Sequence, residues 1–420
     1  MYSLHYHPGI TLTRGEANSS IYSFVLIFAI VGRIFLPANL LDMFLSYTSD
    51  GGGFYEKIHP FSYIILILAL SKLISGRSCG AGVSSPAVLV SAAAILGLIW
   101  TTVSGSGTAV GFLLDSVLVA GAGAYLLLQA DPFLKGSVFN CLMYMMLVNS
   151  GLIISEWALK WRLLPYAPGL VELQFRPAGL LGHPLNNGLF YATAAPLAMV
   201  MHRGVIYRIA VALIFLGSAA IAGARAATVV SGVFVLICTL VLLRKEIQKM
   251  ELTEFGITTF LVFSTLLLAV FVGAAAGVGE RLVSVGLFDE SSQTRLDVYR
   301  IMNYLTNDEI MFGAGNDRMV YLVKQVINQR TAESPVVGSV FLFGAVFSVI
   351  FFTMILLALF RVAKRGDFFI KFSILSFVIV SSTNNVLITK TPALLFVLVL
   401  GIAACGMRFR RRISVAARGV

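Results

Sequence analysis

The sequence predicts an all-α polytopic membrane protein with about 12 transmembrane helices, folded as a single membrane domain over residues 1–420. Three observations carry that prediction. Hydrophobic residues make up 58% of the chain and charged residues only 12%, about half of the roughly 25% charged that soluble domains carry. Apolar runs of about 20 residues, the length that crosses a hydrocarbon core, recur from end to end. The charges that remain sort by side at every turn between those runs.

Taken in order, the spans centre in 20–41, 60–75, 86–103, 109–130, 137–155, 188–202, 205–222, 226–243, 256–277, 338–360, 371–388 and 392–407. Alternate connections hold Arg14, Lys72/Arg77, Lys135, Arg203/Arg208, Arg244/Lys245/Lys249, Arg361/Lys364/Arg365/Lys371 and a tail with Arg408, Arg410, Arg411, Arg412 and Arg418. That side has 18 of the 31 Lys and Arg against six acids; the other has 13 bases and 13 acids, and Asp115 falls inside a span. The positive-inside rule makes the basic side cytoplasmic, with both termini there. The first 20 residues, with His5, His7, Pro8, Arg14 and Glu16, are too polar for a signal-peptide core.

Several function classes are disfavoured at once. The net charge of +11 is a one-sided excess facing the cytoplasm, so it does not call for nucleic acid. Cys79, Cys141, Cys238 and Cys405 fall in expected spans or cytoplasmic turns, which implies no disulfide framework. There is no C-x-x-C, no metal-spaced His pair and no phosphate-binding G-x-x-x-x-G-K-S/T. Neither a metal nor a cofactor is expected.

Two segments outside the membrane are long. Residues 156–187 open with Glu156 and Lys160 at i,i+4 beside Trp157, Trp161 and Arg162, which predicts a short helix lying in the interface. Residues 278–337, before the tenth span, are rich in charges of both signs. They read as two short helices near 292–306 and 317–329, split by Phe312-Gly-Ala-Gly-Asn-Asp317. Gly313 and Gly315 suggest a tight turn whose free N–H groups could hold an anion.

The stretch Glu172–Tyr191 gathers Arg176, His183, Asn186 and Asn187 between apolar regions. Pro177 and Pro184 push the preceding residues toward extended backbone, and Gly179 and Gly182 add freedom, so it reads as a loop at a membrane boundary. Arg176 is either a snorkelling anchor or a guanidinium fork for phosphate. Arg225, in Gly217–Thr228, has no acid within twenty residues, and an arginine at membrane depth is a functional-site candidate. His183 can accept a proton near neutrality or be structural. Asp115 is either used or bonded to a neighbouring helix. Arg300 and Arg318 lie among many acids, as on a solvated surface, whereas Arg295 shares a helical face with Tyr299 and Met302.

Three motifs in order resemble one family. Arg176-Pro-Ala-Gly-Leu-Leu-Gly-His-Pro-Leu-Asn-Asn187 resembles the R-x-x-G-x-x-x-x-P-N loop of the bacterial O-antigen ligase and polymerase family. Gly223-Ala-Arg-Ala-Ala227 resembles its S-R-A-A helix start. Thr294-Arg-Leu-Asp-Val-Tyr-Arg300, followed by Ile310–Gly315, resembles its periplasmic R-x-x-x-W/Y … P-L-x-G-x-G segment, and the match covers roughly residues 170–360. The resemblance implies a metal-independent glycosyltransferase in the bacterial inner membrane, active at the periplasmic face on an undecaprenyl-pyrophosphate-linked glycan, beside other polysaccharide-assembly proteins. Arg176, Arg225 and Arg295 would hold the pyrophosphate, with Asn186, Asn187, Arg300 and Arg318 as weaker contacts. Ligases of the family carry a His before the next span. Here that region is Thr331–Gly338, without His, so Glu333 or His183 would be the base. This departure favours a polymerase of O-antigen or exopolysaccharide units over a ligase. A carrier or flippase is the third expectation, with Asp115 as its proton site.

Overall fold

The computed structural model describes residues 14–48, 53–75, 85–104, 109–164, 175–247, 297–328 and 332–416. Among them there are helices and turns and no strand. In chain order the helices are α1 (Arg14–Phe35), α2 (Pro60–Ile74), α3 (Pro86–Ser104), α4 (Val110–Leu128), α5 (Pro132–Leu159), α6 (Pro184–Leu197), α7 (Val205–Ile221), α8 (Arg225–Ile247), α9 (Asn307–Phe312), α10 (Asn316–Ile327), α11 (Pro335–Arg365), α12 (Phe368–Ser381) and α13 (Ala393–Ala416). Five are long and apolar enough to cross a membrane: α3, α4, α5, α8 from Arg225 to Arg244, and α11. α1 from Ser20, α2, α7, α12 and α13 as far as Met407 are apolar but shorter. The expected span 256–277 lies outside the described residues.

The starts of these helices are written in the sequence. His59, Asp131, His183 and Ser334 each precede a proline at the first helical position, and each side chain accepts a backbone N–H from the opening turn. Proline fixes the backbone angle there and needs no N–H, while the residue before it is held extended and free to cap. Asp367 caps α12 in the same way without a proline.

Burial separates the helices into an inner and an outer set. α4, α6 and the first three turns of α13 are almost wholly buried. Around them, α8 turns Val229, Val233, Leu236 and Leu240 outward at helical spacing, and α1 and α11 expose Phe24, Phe28, Val349 and Phe360. A stripe of exposed apolar residues on a helix of this length suits a hydrocarbon solvent. A second, small core of Val298, Ile301, Leu322, Val323, Val337 and Phe341 lies where the 297–334 segment packs on the start of α11.

Three expectations change. The interfacial helix at 156–160 is instead the last turn of α5, which ends at Lys160 in a left-handed conformation. Lys160 sits over the Trp157 ring at 5.1 Å, and Glu156 turns inward to backbone N–H groups. The helix expected near 292–306 is, in its described part, a 3-10 turn over Val298–Tyr304 followed by α9. The expected span at 338–360 begins earlier, at Pro335 in α11, and is interrupted at Gly344 (φ 77°, ψ 164°).

The break explains the Gly313-Ala-Gly315 turn. The Phe341 carbonyl accepts the N–H groups of Ala314 and Gly315 at 2.9 and 2.8 Å, so these donors hold a helix carbonyl and not an anion. The approach is backbone to backbone. A Cβ on Gly344 would lie 2.2 Å from the Met311 carbonyl oxygen, and one on Gly313 would lie 3.0 Å from the Gly344 nitrogen. Trp100 of α3 stacks on Phe312 and Phe347, flanking the junction.

Gly344→Ala therefore should lower stability by about 2–3 kcal/mol, from the positive φ and the blocked contact. Gly151→Ala, where a Cβ meets open space, should be neutral or stabilise by about 0.5–1 kcal/mol. Thermal unfolding in detergent compares the two.

Candidate functional site

The described residues on either side of 165–174, leading out of α5 and into α6, are held by buried side chains. One oxygen of the Glu156 carboxylate accepts the Leu163 N–H at 3.0 Å, and the other accepts Ala178 and Gly179 at 2.8 and 3.0 Å. Asn149 accepts the Leu180 N–H at 2.7 Å and donates to the Asn187 side chain and the Tyr191 hydroxyl at 2.8 and 2.7 Å. Asn187 in turn donates to the carbonyls of Ala178 and His183. Gly179 has φ 51°, and a Cβ there would strike the Asn149 side-chain oxygen at 2.4 Å. An isolated carboxylate is costly at 2% exposure, and three N–H donors offset that cost.

This frame delivers the arginines. Arg176 donates through Nε to the Ala222 carbonyl at 3.3 Å and through Nη2 to the Gly223 carbonyl at 3.1 Å. Those carbonyls belong to the turn between α7 and α8, and Arg225 is the first residue of α8. Gly223 (φ 70°) makes the turn, and Gly188 lets α6 close on Ala224, where a Cβ would be 2.2 Å from its side chain. The Arg162 guanidinium donates to the Arg176 carbonyl at 3.1 and 2.8 Å and lies over the Phe175 ring. Arg176 is thus fastened to the turn that begins α8 at Arg225, with Arg162 on its backbone carbonyl, and the partial positive charge of a helix N-terminus lies at that turn.

His183 and His59 are built alike. Each caps a helix through Nδ1, accepting from Leu185 and Phe61 respectively at 3.2 Å. Burial pushes both imidazoles down to about 4, with the adjoining guanidinium, Arg176 or Arg33, adding to it. A neutral imidazole whose Nδ1 lone pair is engaged carries its proton on Nε2 and acts as a donor. Both rings line a polar cavity of about 60 Å³ with Arg33, Tyr47, Asn186 and Lys390, room for several waters. Arg33, which lines it, is paired with the buried Asp115 at 3.2 Å, the side chains 3% and 0% exposed. Asp115 also accepts from the Ser62 hydroxyl at 2.5 Å, the His59 N–H at 3.1 Å and the Tyr47 hydroxyl.

The candidates from the sequence therefore divide. Arg176, His183 and Asn187 belong to one hydrogen-bonded loop, Arg176 also grips the turn that leads to Arg225, and Asn186 faces the cavity. Asn187 is fully buried, with its amide oriented by Asn149, Ala178 and His183. Arg300 pairs with Asp297 at 3.0 Å while 70% exposed, and Arg318 pairs with Glu309 at 3.4 Å, as surface arginines do. Glu333 precedes Ser334, the cap of α11, and is half-buried. Arg295 lies outside the described residues. Among the described residues, no group of three or more His, Cys, Asp or Glu could hold a metal. No protein-family model, curated protein or solved structure matches this chain.

Arg33, His59, Asn149 and Lys390 did not stand out in the sequence, and Glu156 stood out only as a partner for Lys160. The repeated His-Pro pair was a usable signal for His59, and polar residues inside apolar spans were one for Arg33 and Asn149. Glu156→Ala leaves three N–H groups unpaired and should cost about 3 kcal/mol or more, measured as thermal stability.

The two histidines are neutral in the fold and bind protons more readily when unfolded. Their stabilisation is complete above about pH 6.5 and is lost as pH falls toward 4. His183→Asn keeps a capping acceptor, so its thermal midpoint at pH 7 should stay near wild type while its fall between pH 6.5 and 4 becomes shallower.

Proposed function

We propose that this protein is an inverting glycosyltransferase that polymerises undecaprenyl-pyrophosphate-linked repeat units of an O-antigen or exopolysaccharide. In this reading the chain has about 12 spans and both termini in the cytoplasm of a bacterium, and it works at the periplasmic face of the inner membrane. The observation that carries it is the Arg176 fork on the carbonyls of residues 222 and 223, which fastens one motif arginine to the turn that leads into the other, Arg225. A diphosphate leaving group needs cations aimed at the charge it develops, and arginine matches its oxygens bidentately.

The acceptor hydroxyl oxygen bonds to the anomeric carbon as the bond from that carbon to the pyrophosphate oxygen breaks. The electron pair departs on the pyrophosphate, toward Arg176 and Arg225, and the hydroxyl proton passes to a base. Glu333 is the base this reading assigns, because Nδ1 of His183 is engaged by the Leu185 N–H. The hydrogen-bonded residues 178–180 contribute positioning, which lowers the barrier without new chemistry.

Arg176→Ala and Arg225→Ala should each reduce turnover of lipid-linked glycan about 10²–10³-fold, the effect of deleting one oxyanion donor, while the protein inserts normally. Polymer of wild-type length in both variants would refute the proposal. Transfer to a lipid A core in place of chain growth would make the protein a ligase. A carrier is the second reading, favoured by the break in α11, since broken helices mark transport sites. Against it, Asp115 is held by several donors. Flux of labelled lipid-linked glycan into proteoliposomes distinguishes it.

A further inference from the structure

At the end of the bundle opposite the arginine loop, a cavity of about 390 Å³ opens between the end of α4, the start of α5, the end of α11 and α13. Its walls are apolar, from Leu128, Pro132, Val362 and Ile402, and two cations line it, Lys135 and Arg365. We propose that this cavity binds an anionic phospholipid, with its phosphate between Lys135 and Arg365 and the upper part of one acyl chain along the apolar walls.

Two cations line one cavity. Lys135 and Arg365 repel each other, and the acid that attracts Lys135 is Asp131. One oxygen of Asp131 is engaged in capping α5, accepting the Leu134 N–H at 2.8 Å. Lys135 is half-buried and donates to the Leu128 carbonyl at 3.3 Å. Its stem lies against Gly406, where a Cβ would come within 2.7 Å of it, so the ammonium is held at the cavity wall. Arg365 is exposed beside it.

A bulky hydrophobic ligand with one phosphate satisfies both halves of this lining, whereas a soluble phosphate leaves the walls bare. The volume falls within the usual range for ligand pockets, about 300–1,000 Å³. Basic pockets between membrane helices are places where anionic headgroups dock. The same end carries Arg203, Arg208 and Lys371, in keeping with a basic face toward anionic lipid. The inference holds whether or not the protein transfers glycans.

Native mass spectrometry of the full chain in neutral detergent, titrated with phosphatidylglycerol or with phosphatidylcholine of the same chains, tests it. Each basic side chain at a lipid surface contributes about fivefold. Lys135→Gln with Arg365→Gln should therefore weaken the first phosphatidylglycerol about thirty-fold and leave phosphatidylcholine unchanged. Arg361→Gln with Lys364→Gln removes the same charge from exposed positions outside the cavity and should leave the first phosphatidylglycerol site within about threefold of wild type. Cys405→Trp, which fills the cavity and keeps both cations, should also lose that lipid. The proposal is overturned if the charge-matched control weakens binding as much as the cavity pair, if Cys405→Trp binds normally, or if glycerol phosphate displaces the lipid as well as it binds.

Discussion

A carboxylate with no exposure, deep among apolar helices, must be surrounded by donors or the fold does not form. Asp115 meets that requirement from several directions. Arg33 comes from α1, Ser62 from α2, the His59 N–H from the turn before α2, and Tyr47 from the loop between α1 and α2. Removing one partner of such a buried pair costs about 3–5 kcal/mol, because it strands the other charge. The network also fixes how α1, α2 and α4 meet, and so places His59 in the lining of the cavity it shares with His183. Local α-helical geometry yields to it: residues 113–118 form a π-helical turn around Asp115, as happens where a helix accommodates a special side chain.

The same logic recurs at the arginine loop with different groups. Glu156 and Asn149 sit on α5, and together they satisfy the backbone of residues 178–180. Residues 178–180 have few ways to move, since a shift would leave their N–H groups unpaired. What remains for a ligand is the cationic turn at the start of α8. The two ends of the bundle thus differ in kind. One presents polar side chains oriented by a hydrogen-bonded backbone, and the other presents basic side chains around an apolar cavity.

Much of the helical framework could be read in advance, because a run of apolar residues ended by a capping side chain and proline is a local signal. His183-Pro184 and Ser334-Pro335 are cases in point. Arg176 and Arg225 drew notice as charges beside apolar runs, and the structure fastens the first to the turn leading into the second. Contacts between distant residues were not. Glu156 read as the partner of Lys160 one turn away, yet its carboxylate serves Ala178, 22 residues on. Arg33 and Asp115 are 82 residues apart, and nothing in either neighbourhood names the other. His183 read as either a proton acceptor or a structural residue, and only its burial and capping, which depend on the fold, show the second role. Gly344 was invisible for a different reason. A glycine in an apolar run fits an unbroken helix as well as a broken one, and only the approach of Met311 distinguishes them.

The meeting of Gly313 and Gly344 also limits how this region can vary. At most tight spots a larger residue on one side can be accommodated by a smaller one on the other. Here the opposing surface is peptide groups, which are common to every amino acid. Trimming a neighbouring side chain cannot make room, so a compensating second change would have to displace the whole 307–315 segment. The two positions are bound to glycine independently, and drift at either has no local remedy.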